Sequence, residues 1–434
     1  MTPNKKALAL KILQALRGAG YEAYFVGGCV RDLLLKKKPK DFDIASNATP
    51  SQVQALFPKT VPVGAQFGVM LVMSEGLPFE VATFRTDLGY QDGRRPSGVR
   101  FTEAKEDAVR RDFTVNGLFY DPISRKVMDW VDGRKDLKAK RIRAIGDPRK
   151  RFTEDKLRML RAVRFASCLG FTIDPATLKA VRKLAPQIRV VSGERVRDEL
   201  VKMFTGEHPA LALRLLDKTG LLKYVLPEVE AMKGVQQPKA YHPEGDVFKH
   251  TLLLLDQLKR PDAVLAFGAL LHDVGKPPTF RRSDRIRFNG HEVVGARMTD
   301  AILTRLRFSN DLKERIIACV EGHMRFKDVK RMKQSTLKKM MQRGTFVTEL
   351  EQHRVDCLAS HGDLSNWRFL KKKVREFGKE TIKPKPLLSG KDLLQLGLAE
   401  GPKIGQILRA VEEAQLEGQL TTPEDALAWV KKNF

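Results

Sequence analysis

Strand-like segments are confined to the first third of this sequence, and helical periodicity dominates the rest. Up to about residue 145, short stretches typical of strands alternate with helical ones. Beyond about residue 150, almost every segment repeats its apolar residues at helical spacing. A chain of 434 residues is too long for a single hydrophobic core. The pattern therefore predicts an α+β domain at the start, followed by helical domains.

Composition shifts along the chain predict where these domains begin and end. The mixed region spans residues 1–145, and amphipathic helices follow at 146–236. A loop then precedes a His/Asp-rich helical region at 237–365, and a lysine-rich helical tail occupies 366–434. We therefore expect four domains, with no internal repeat.

Local signals predict several elements of the first domain. AYFVGG is typical of a buried strand that ends in a turn, and FDIAS of another strand. Thr49 followed by Pro50 predicts the N-cap and first residue of a helix. GVMLVMSEGLPFEVATFR predicts a β-hairpin around Ser74, Glu75 and Gly76.

The charge of the chain indicates the kind of partner it binds. Lys and Arg number 79 and Asp and Glu number 52, which gives a net charge of +27. Such an excess favours a polyanion, most simply nucleic acid. A basic ribosome-associated protein, or a merely soluble one, is the alternative.

Cysteine spacing and apolar runs indicate the compartment. Cys29, Cys168, Cys319 and Cys357 are far apart and form no CxxC pair, so they predict neither a zinc site nor a disulfide framework. The first twenty residues predict an amphipathic helix rather than a signal peptide. The longest apolar run, AVLAFGALL at 263–271, is too short to span a membrane. We expect a cytoplasmic protein without a membrane partner.

The stretch GGCVRDLLLKKKPKDFDI combines features of a metal site and a phosphate site. On a strand, Asp41 and Asp43 face the same way, and such paired carboxylates need a counter-charge that Mg²⁺ supplies. Glu80, on a predicted neighbouring strand, is a candidate third carboxylate. Gly27-Gly28 lets the backbone approach an anion closely, and Arg31 lies one turn into the next helix. Taken alone, the DxD pattern also fits a solvated turn.

Residues 151–171 carry a second candidate site. Asp155, Arg158, Arg161 and Arg164 recur every three residues, so on one helix they are surface neighbours. A carboxylate accepts from an exocyclic amino group and a guanidinium donates to ring nitrogens, so such a pair can select C or A against U and G. A salt-bridge ladder on a basic helix is the alternative.

In combination, these motifs resemble a known family. GGxVRD followed by DFD is similar to the polymerase-β-like nucleotidyltransferase head, in particular that of class II tRNA nucleotidyltransferases (CCA-adding enzymes) and bacterial poly(A) polymerases. Further stretches of the family agree in order over roughly residues 20–230. They are TFRTDLGYQDGRRPSGVRF at 83–101, RRDFTVNGLFYDP at 110–122, DWVDGRKDLKAKRIRAIGDP at 129–148 and RFTEDKLRMLRAVRFASCLGF at 151–171.

The resemblance implies a fold and roles for particular residues. The fold is an α+β head with a small mixed sheet, followed by all-α neck, body, HD and tail regions. Asp41 and Asp43 match the metal-binding pair, and Gly28 and Arg31 match triphosphate contacts. The remaining matches are Arg111 and Asp112 for sugar and phosphates, Asp155 and Arg158 for base pairing, and Arg161 and Arg164 as nearby nucleotide contacts.

The stretch at 83–101 bears on the subtype. The resemblance implies that enzymes adding only CC lack this flexible loop, whereas those adding the terminal A keep it. Its presence favours full CCA addition or A addition. It does not distinguish these from poly(A) polymerase, and its composition also fits an ordinary mobile loop.

Histidines and aspartates cluster in the helical half of the chain. Histidine and carboxylate together suit a divalent transition metal, and the order His…His-Asp…Asp resembles the HD metal-dependent phosphohydrolase domain. The matching ligands are His250, His272, Asp273 and Asp356, with His291 and His323 available for a second ion. The domain is alternatively a scaffold that keeps its ligands without hydrolytic activity.

Lysine-rich segments follow the histidine cluster. KRMKQSTLKKMMQR and RFLKKKVREF are typical of solvated faces, but the overall charge and the family resemblance favour a tRNA backbone as their partner. The sequence thus predicts addition of CCA, or its terminal A, to tRNA 3′ ends from CTP and ATP by two-metal phosphoryl transfer. The alternatives are poly(A) polymerase, or an HD-type phosphohydrolase with an RNA-binding front module. The oligomeric state stays open.

Overall fold

The computed structural model describes residues 4–90, 96–239 and 242–434, without the side chains of residues 90, 96, 97 and 379–381. The chain forms two compact units, Met1–Glu230 and Ala231–Phe434. The first unit combines a mixed sheet with helices, and the second is almost entirely helical. The predicted α+β class is confirmed. The finer division into four domains stays a prediction.

The first unit begins with alternating strands and helices and ends in helices alone. Its strands are β1 (Ala23–Val26), β2 (Asp43–Ser46), β3 (Thr60–Gly64), β4 (Val69–Ser74), β5 (Leu77–Thr83), β6 (Arg85–Tyr90), β7 (Pro96–Phe101), β8 (Phe119–Asp121), β9 (Lys126–Met128), β10 (Arg141–Ile142) and β11 (Thr172–Ile173). Its helices are α1 (Lys5–Gly18), α2 (Gly28–Leu34), α3 (Pro50–Leu56), α4 (Ala104–Val109), α5 (Gly133–Lys138), α6 (Pro148–Glu154), α7 (Leu157–Leu169), α8 (Pro175–Leu184), α9 (Gly193–Phe204), α10 (Pro209–Lys218), α11 (Leu222–Val225) and α12 (Pro227–Glu230).

The sheet of the first unit brings the glycine turn next to the aspartates. Within the described ranges it has seven strands, in the order β3-β4-β5-β2-β1-β8-β9. β1 lies between β2 and β8 and is antiparallel to both, whereas β2 and β5 run parallel. The register pairs Val26 with Asp43. The Gly27-Gly28 turn, which follows Val26, therefore lies beside the carboxylate of Asp43.

The local predictions for the first unit are confirmed where the signal was a turn or a cap. Thr49 is the N-cap of α3, and with Gln52 it forms a capping box. Glu75 and Gly76 both have positive φ, as a two-residue hairpin turn between β4 and β5 requires. The stretch at 83–101 contains the hairpin β6–β7. Residues 91–95, part of the predicted flexible loop, lie outside the described residues.

One predicted helix is wrong at its start. The pattern from Asp155 to Arg164 predicted one continuous helix, but α6 ends at Glu154 and α7 begins at Leu157. Asp155 has an extended backbone conformation (φ −140°, ψ 109°), and its side chain accepts a hydrogen bond from the Leu157 N–H. The carboxylate thus competes with the helical backbone bonds, as aspartate does at helix starts.

The second unit is a helical array with one short two-stranded ribbon. Its helices are α13 (Val247–Asp256), α14 (Ala263–Leu271), α15 (Lys276–Thr279), α16 (His291–Arg305), α17 (Asn310–Gly322), α18 (Gln334–Met341), α19 (Phe346–Ala359), α20 (Ser365–Ile382), α21 (Gly390–Gln395), α22 (Pro402–Leu416) and α23 (Pro423–Asn433). The ribbon pairs β12 (Arg281–Arg282) with β13 (Ile286–Arg287). α20 bends at Gly378, where φ is +64°.

The apolar residues of the second unit separate into distinct clusters. α14 is buried along most of its length and packs against α17 and α19. A separate cluster around Leu393, Ile407 and Val411 holds the helices of the tail together. Across residues 4–90, 96–239 and 242–434, no helix is both long enough and apolar enough to cross a bilayer.

Candidate functional site

A cavity of about 430 Å³ in the first unit collects most of the predicted nucleotide-site residues. Elements that are far apart in the sequence contribute to it: the turn after β1, the start of β2, the segment after α4, and helices α7 and α9. Its lining consists of Gly27, Gly28, Arg31, Asp43, Arg110, Arg111, Asp112, Asn116, Asp155, Leu157, Arg158, Arg161, Phe165 and Arg195.

The glycine turn forms one wall of the cavity, and at Gly27 a side chain would be strained. Gly27 has φ +71°, which favours glycine. A Cβ there would lie 3.3 Å from Arg111 Nη1 and 4.0 Å from Asp43 Oδ2. A Cβ at Gly28 would lie 3.6 Å from Arg31 Nη2. The turn thus exposes backbone between a carboxylate and two guanidinium groups, an arrangement suited to a phosphate chain beside a cation.

The three predicted carboxylates differ in environment. Burial and the nearby Glu80 raise the pKa of Asp43 to about 6; Asp41 adds to the effect and Arg111 opposes it. Asp41 precedes β2, and its side chain is 75% exposed and pairs with Lys5 at 2.8 Å. Glu80 is exposed on β5. Of these three, only Asp43 belongs to the described lining of the cavity. The mutual repulsion of these carboxylates fits a site for a hard cation such as Mg²⁺.

Two arginines of the cavity are held by neighbouring polar groups. Arg31 Nη1 donates to Asn116 Oδ1 at 2.8 Å, and its Nε donates to Asp32 at 2.9 Å. Arg111 pairs with the buried Asp107 at 2.9 Å. Although burial opposes it, Arg111 is the main cause of the lowered pKa of Asp107. These contacts hold both guanidinium groups in place before any anion binds.

Asp112 joins the cavity to helix α7. Its carboxylate accepts from Arg161 Nε at 2.7 Å and from Asn116 Nδ2 at 3.2 Å. Burial alone would raise the pKa of Asp112, but Arg161 and Asn116 lower it to about 2. Asp112 is therefore ionised at neutral pH, and its pairing fixes the position of Arg161.

The ring of Phe165 is surrounded by guanidinium groups. The Cζ atoms of Arg31, Arg161 and Arg164 lie 5.4, 5.3 and 4.1 Å from its centroid. Arg164, however, is not among the described residues that line the cavity; it pairs with the buried Glu199 at 3.1 Å. The structure thus brings Arg161 to the cavity, whereas Arg164 contacts the Phe165 ring and pairs with Glu199.

Of the predicted base-reading pair, Asp155 lies in the break between α6 and α7, and Arg158 lies in the first turn of α7. Asp155 pairs with Arg195 of α9 at 3.0 Å. Arg158 pairs with Glu154 at 2.6 Å and donates to the Arg151 carbonyl. Asp155 and Arg158 both line the cavity. Each of the two side chains is therefore held by its own polar contacts where it lines the cavity.

In the second unit, Asp273 is the centre of a group of buried histidines. His272 Nε2 lies 3.2 Å from Asp273 Oδ2, and the Nε2 atoms of His291 and His323 lie 3.6 and 3.9 Å from Asp273 Oδ1. The two histidine Nε2 atoms are 3.1 Å apart. Burial, with a smaller effect of His272, lowers the pKa of His323 to about 3, so His323 is neutral, the form that coordinates a metal.

His250 and Asp356 lie next to this group. His250 Nε2 is 2.9 Å from Asp356 Oδ1, and its Nδ1 is 2.8 Å from Glu244 Oε1. Glu244 also accepts from His242 Nδ1 at 3.0 Å. Ligand atoms of His250, His272 and Asp273 lie within 4.8 Å of one another, as do those of Asp273, His291 and His323. The two sets share Asp273, which suits a pair of ions.

The donor atoms of this cluster fit a divalent transition metal. His272 Nε2 and Asp273 Oδ2 are buried without a well-aligned hydrogen-bond partner, although Lys276 Nζ lies 2.7 Å from the latter. Nitrogen and carboxylate donors of this kind bind Zn²⁺, Mn²⁺ or Fe²⁺. A cavity of about 730 Å³ opens beside the cluster, and its described lining includes the cationic side chains Lys276, Arg285, Arg287 and Lys327. This charge favours an anionic ligand.

Close backbone packing holds the cluster together at Gly275. A Cβ at this position would lie 2.1 Å from the His291 carbonyl oxygen and 2.6 Å from the Gly295 nitrogen. Both distances are shorter than any real contact, and both involve backbone atoms. The start of α16, which carries His291, can therefore approach Asp273 only because residue 275 has no side chain.

Several residues of both sites were not predicted from the sequence. In the first cavity they are Arg110, Asn116, Leu157, Phe165 and Arg195, and beside the metal cluster they include His242 and Glu244. Arg195 is forty residues from Asp155, so no local pattern in the sequence predicts that the two side chains pair. His242 and Glu244 lie in a stretch predicted only as a loop, although a His and a Glu two residues apart in YHPEG resemble metal-site donors.

Comparison with known proteins gives three family matches along the chain. Residues 23–143 match the poly A polymerase head domain, and residues 170–233 match a probable RNA and SrmB binding site of polymerase A. Residues 244–351 match the HD domain. The head-domain match contains part of the first cavity, and the HD match contains most of the histidine cluster, in the same order along the chain.

Similar proteins carry a consistent name. The CCA-adding enzyme of Oceanobacillus iheyensis is 49% identical over 280 residues, 64% of this chain and 66% of its own length. That of Limosilactobacillus reuteri is 47% identical over 217 residues, 50% of this chain and 54% of its own length. The matched part thus spans little more than half the length of the latter.

Solved structures match over nearly the whole chain. The Bacillus stearothermophilus CCA-adding enzyme in complex with CTP has a TM-score of 0.75 and 30% identity, covering 100% of this chain and 98% of that one. The Thermotoga maritima CCA-adding enzyme complexed with tRNA has a TM-score of 0.60 and 20% identity, covering 100% and 96%. The latter likeness concerns the fold alone.

Proposed function

Because this chain belongs to the family of CCA-adding enzymes, we propose that it adds CCA, or its terminal A, to the 3′ end of tRNA from CTP and ATP. The observation that carries the proposal is the joint cavity of the first unit. One cavity contains a glycine turn beside a carboxylate, several arginines, and the pair Asp155 and Arg158. A nucleoside triphosphate needs groups of each kind.

Residues in and next to the cavity would bind either the metal or the phosphates. Asp41 and Asp43 would hold Mg²⁺, which when bound activates the attacking 3′-hydroxyl and neutralises the pyrophosphate that leaves. Arg31 and Arg111 bind the triphosphate beside the Gly27-Gly28 turn. Their ion pairs with Asp32 and Asp107 hold them in position in advance, which lowers the entropic cost of orienting the substrate.

The base is read by hydrogen bonds rather than by a nucleic-acid template. Asp155 accepts from the exocyclic amino group of C or A, and Arg158 donates to a ring nitrogen or carbonyl. U and G lack the amino donor at that position and leave the carboxylate unpaired, which costs binding energy. Arg111 and Asp112 contact the sugar and phosphates, and Arg161, held to Asp112 at 2.7 Å, is a nearby nucleotide contact.

One assay separates the proposed activity from its rivals. Purified protein is offered tRNA ending before CCA, tRNA ending in CC, or an unstructured RNA, each with labelled CTP and ATP. Three nucleotides on the first substrate support CCA addition, and addition only to the CC-ended tRNA supports the A-adding subtype. Long tails on unstructured RNA identify a poly(A) polymerase. Absence of incorporation on every RNA contradicts the proposal.

The remaining partners follow from charge and composition. A net charge of +27 supports binding of the tRNA backbone, and the lysine-rich segments around α18 and α20 contribute to this charge. tRNA is then recognised by shape and charge more than by sequence.

The free thiols of Cys29, Cys168, Cys319 and Cys357 support action in the reducing cytoplasm.

Arg195 offers a test of how Asp155 is positioned. We expect Arg195→Ala to raise the KM for CTP and to reduce discrimination against UTP, each by about tenfold, because a charge-assisted hydrogen bond to Asp155 is lost. Arg195→Lys is expected to show smaller changes in KM and in discrimination than Arg195→Ala. Steady-state incorporation of each nucleotide measures it, and Arg197→Ala on the same helix is the control. Unchanged kinetics in Arg195→Ala contradict the positioning role.

A second candidate function concerns the HD cluster, where buried donor atoms converge on Asp273. His250, His272, Asp273 and Asp356 would hold one divalent transition metal, and His291 and His323 would help to hold a second. Such ions, when bound, supply a nucleophilic hydroxide for hydrolysis of phosphate esters. The cationic side chains Lys276, Arg285 and Arg287 in the adjoining cavity favour a phosphorylated substrate.

Removal of one histidine tests the metal centre. We expect His272→Ala to lose the ion held by His250, His272, Asp273 and Asp356, together with any phosphatase activity, because the imidazole is a direct ligand of that ion. Nucleotide incorporation stays unchanged, since the described residues that line the first cavity all belong to the first unit. Elemental analysis of the purified protein measures the metal, and His208→Ala serves as the control. A His272→Ala protein that retains its full metal content contradicts this assignment.

A further inference from the structure

The four histidines of the HD cluster differ in what holds their second ring nitrogen. Nδ1 of His272 lies 2.9 Å from the Ala269 carbonyl oxygen, and Nδ1 of His291 lies 2.9 Å from that of Phe288. Nδ1 of His323 lies 2.6 Å from the Val320 carbonyl oxygen. In each case the acceptor is a backbone oxygen three residues earlier. A donating Nδ1–H leaves Nε2 as the free, metal-binding nitrogen.

His250 departs from this pattern. Its Nδ1 lies 2.8 Å from the carboxylate of Glu244, where the other three histidines have a backbone carbonyl. Its Nε2 faces Asp356 at 2.9 Å. Both partners are carboxylates, so either ring nitrogen has an acceptor within reach. Both ring nitrogens are buried without a well-aligned hydrogen bond. A proton on Nδ1, facing Glu244, leaves Nε2 available to a metal beside Asp356.

Glu244 is held firmly enough to have this effect. Its side chain is 6% exposed. The neighbouring Gly245 carbonyl accepts from the Gln237 N–H at 3.1 Å. Asp246 accepts from the Gly234 N–H at 2.7 Å and caps α13 through the Lys249 N–H at 2.9 Å. The backbone on the C-terminal side of Glu244 is thus fixed to the helix that carries His250.

We infer that Glu244 is a positioning residue for the metal ligand His250. It accepts the Nδ1 proton, holds the ring in one orientation and directs Nε2 towards the position beside Asp356. Carboxylates that accept from a metal-binding histidine raise its basicity and fix its tautomer, and their loss typically costs about 10–100-fold in metal affinity. This inference rests on the proposed HD metal centre and adds a residue to it.

The test measures Mn²⁺ binding to the full-length, metal-stripped chain. All variants carry Asp41→Asn and Asp43→Asn, so that the first cavity does not contribute. Paramagnetic resonance of free Mn²⁺ reports the dissociation constant without any substrate. We expect Glu244→Ala to weaken binding about 10–100-fold. Glu244→Gln retains an acceptor oxygen for the Nδ1–H and stays within about threefold of the parent.

Control variants separate the possible outcomes. His272→Ala, which lacks a direct ligand, sets the level of full loss, and Glu413→Ala, on the exposed face of α22, sets the level of no effect. Circular dichroism melting curves establish that each variant is folded. Parent-like affinity in Glu244→Ala overturns the inference. Equal losses in Glu244→Gln and Glu244→Ala also overturn it, because Glu244 is then a direct carboxylate ligand. If the parent itself binds no Mn²⁺, the metal centre fails and the role of Glu244 fails with it.

Discussion

Asp43→Asn is expected to reduce nucleotide incorporation by at least about a thousandfold, because several kcal/mol of charge stabilisation by the metal are lost with its ligand. Asparagine has nearly the same shape as aspartate, so β2 and its pairing with β1 are retained. Binding of tRNA stays intact, since it depends on phosphate contacts spread over many basic residues. Asp41→Ala is expected to abolish incorporation in the same way.

The rate is best measured in a single turnover with excess enzyme and labelled CTP, so that product release does not limit it. Filter binding of the same labelled tRNA reports affinity. Asp198→Asn, an exposed aspartate on α9, is the matched control and retains the wild-type rate. An Asp43→Asn protein that incorporates CTP at a normal rate rules out the proposed carboxylate chemistry.

The second large effect is expected at the base-reading position. Asp155→Ala is expected to reduce the preference for C over U by about a hundredfold or more, because sites that hydrogen-bond a substrate amino group reject analogues lacking it strongly. The variant therefore incorporates UTP or GTP, or loses selectivity altogether. kcat/KM is measured for each of the four nucleotides on the same tRNA.

Asp155 also has a structural partner, and the experiment must separate the two roles. If its ion pair with Arg195 served stability alone, Asp155→Ala would lower the melting temperature and leave nucleotide choice unchanged. That result would contradict the proposed role of Asp155 in recognising the base. Lys156→Ala changes the neighbouring residue, whose side chain is not part of the described cavity lining, and serves as the control for disturbance of the helix break.

The sequence allowed reliable prediction where the determinants were local. Thr49-Pro50 and Glu75-Gly76 act through their own backbone, so the cap of α3 and the turn between β4 and β5 needed no tertiary information. The break at Asp155 could not be predicted in this way. Its helical spacing continues into α7, but the carboxylate accepts from the Leu157 N–H and pairs with Arg195, forty residues later.

The candidate sites, too, were predicted from the sequence only in part. Motif residues such as Asp43, Arg158 and His272 were identified from their order in the chain. The residues that support them were not: Asn116 holds Arg31, and Glu244 lies against His250. Such partners are ordinary polar residues in the sequence, and only folding brings them within hydrogen-bond distance of the motif.

The backbone contact at Gly275 has a consequence for comparing relatives of this chain. Glycine there is required by the meeting of two backbone segments, whether or not any ion binds. A relative that has lost its HD histidines and all hydrolytic chemistry still needs glycine at this position to fold. Glycine at this position in a relative is thus a marker of inherited architecture, whereas only the imidazole and carboxylate side chains around it are markers of retained catalysis.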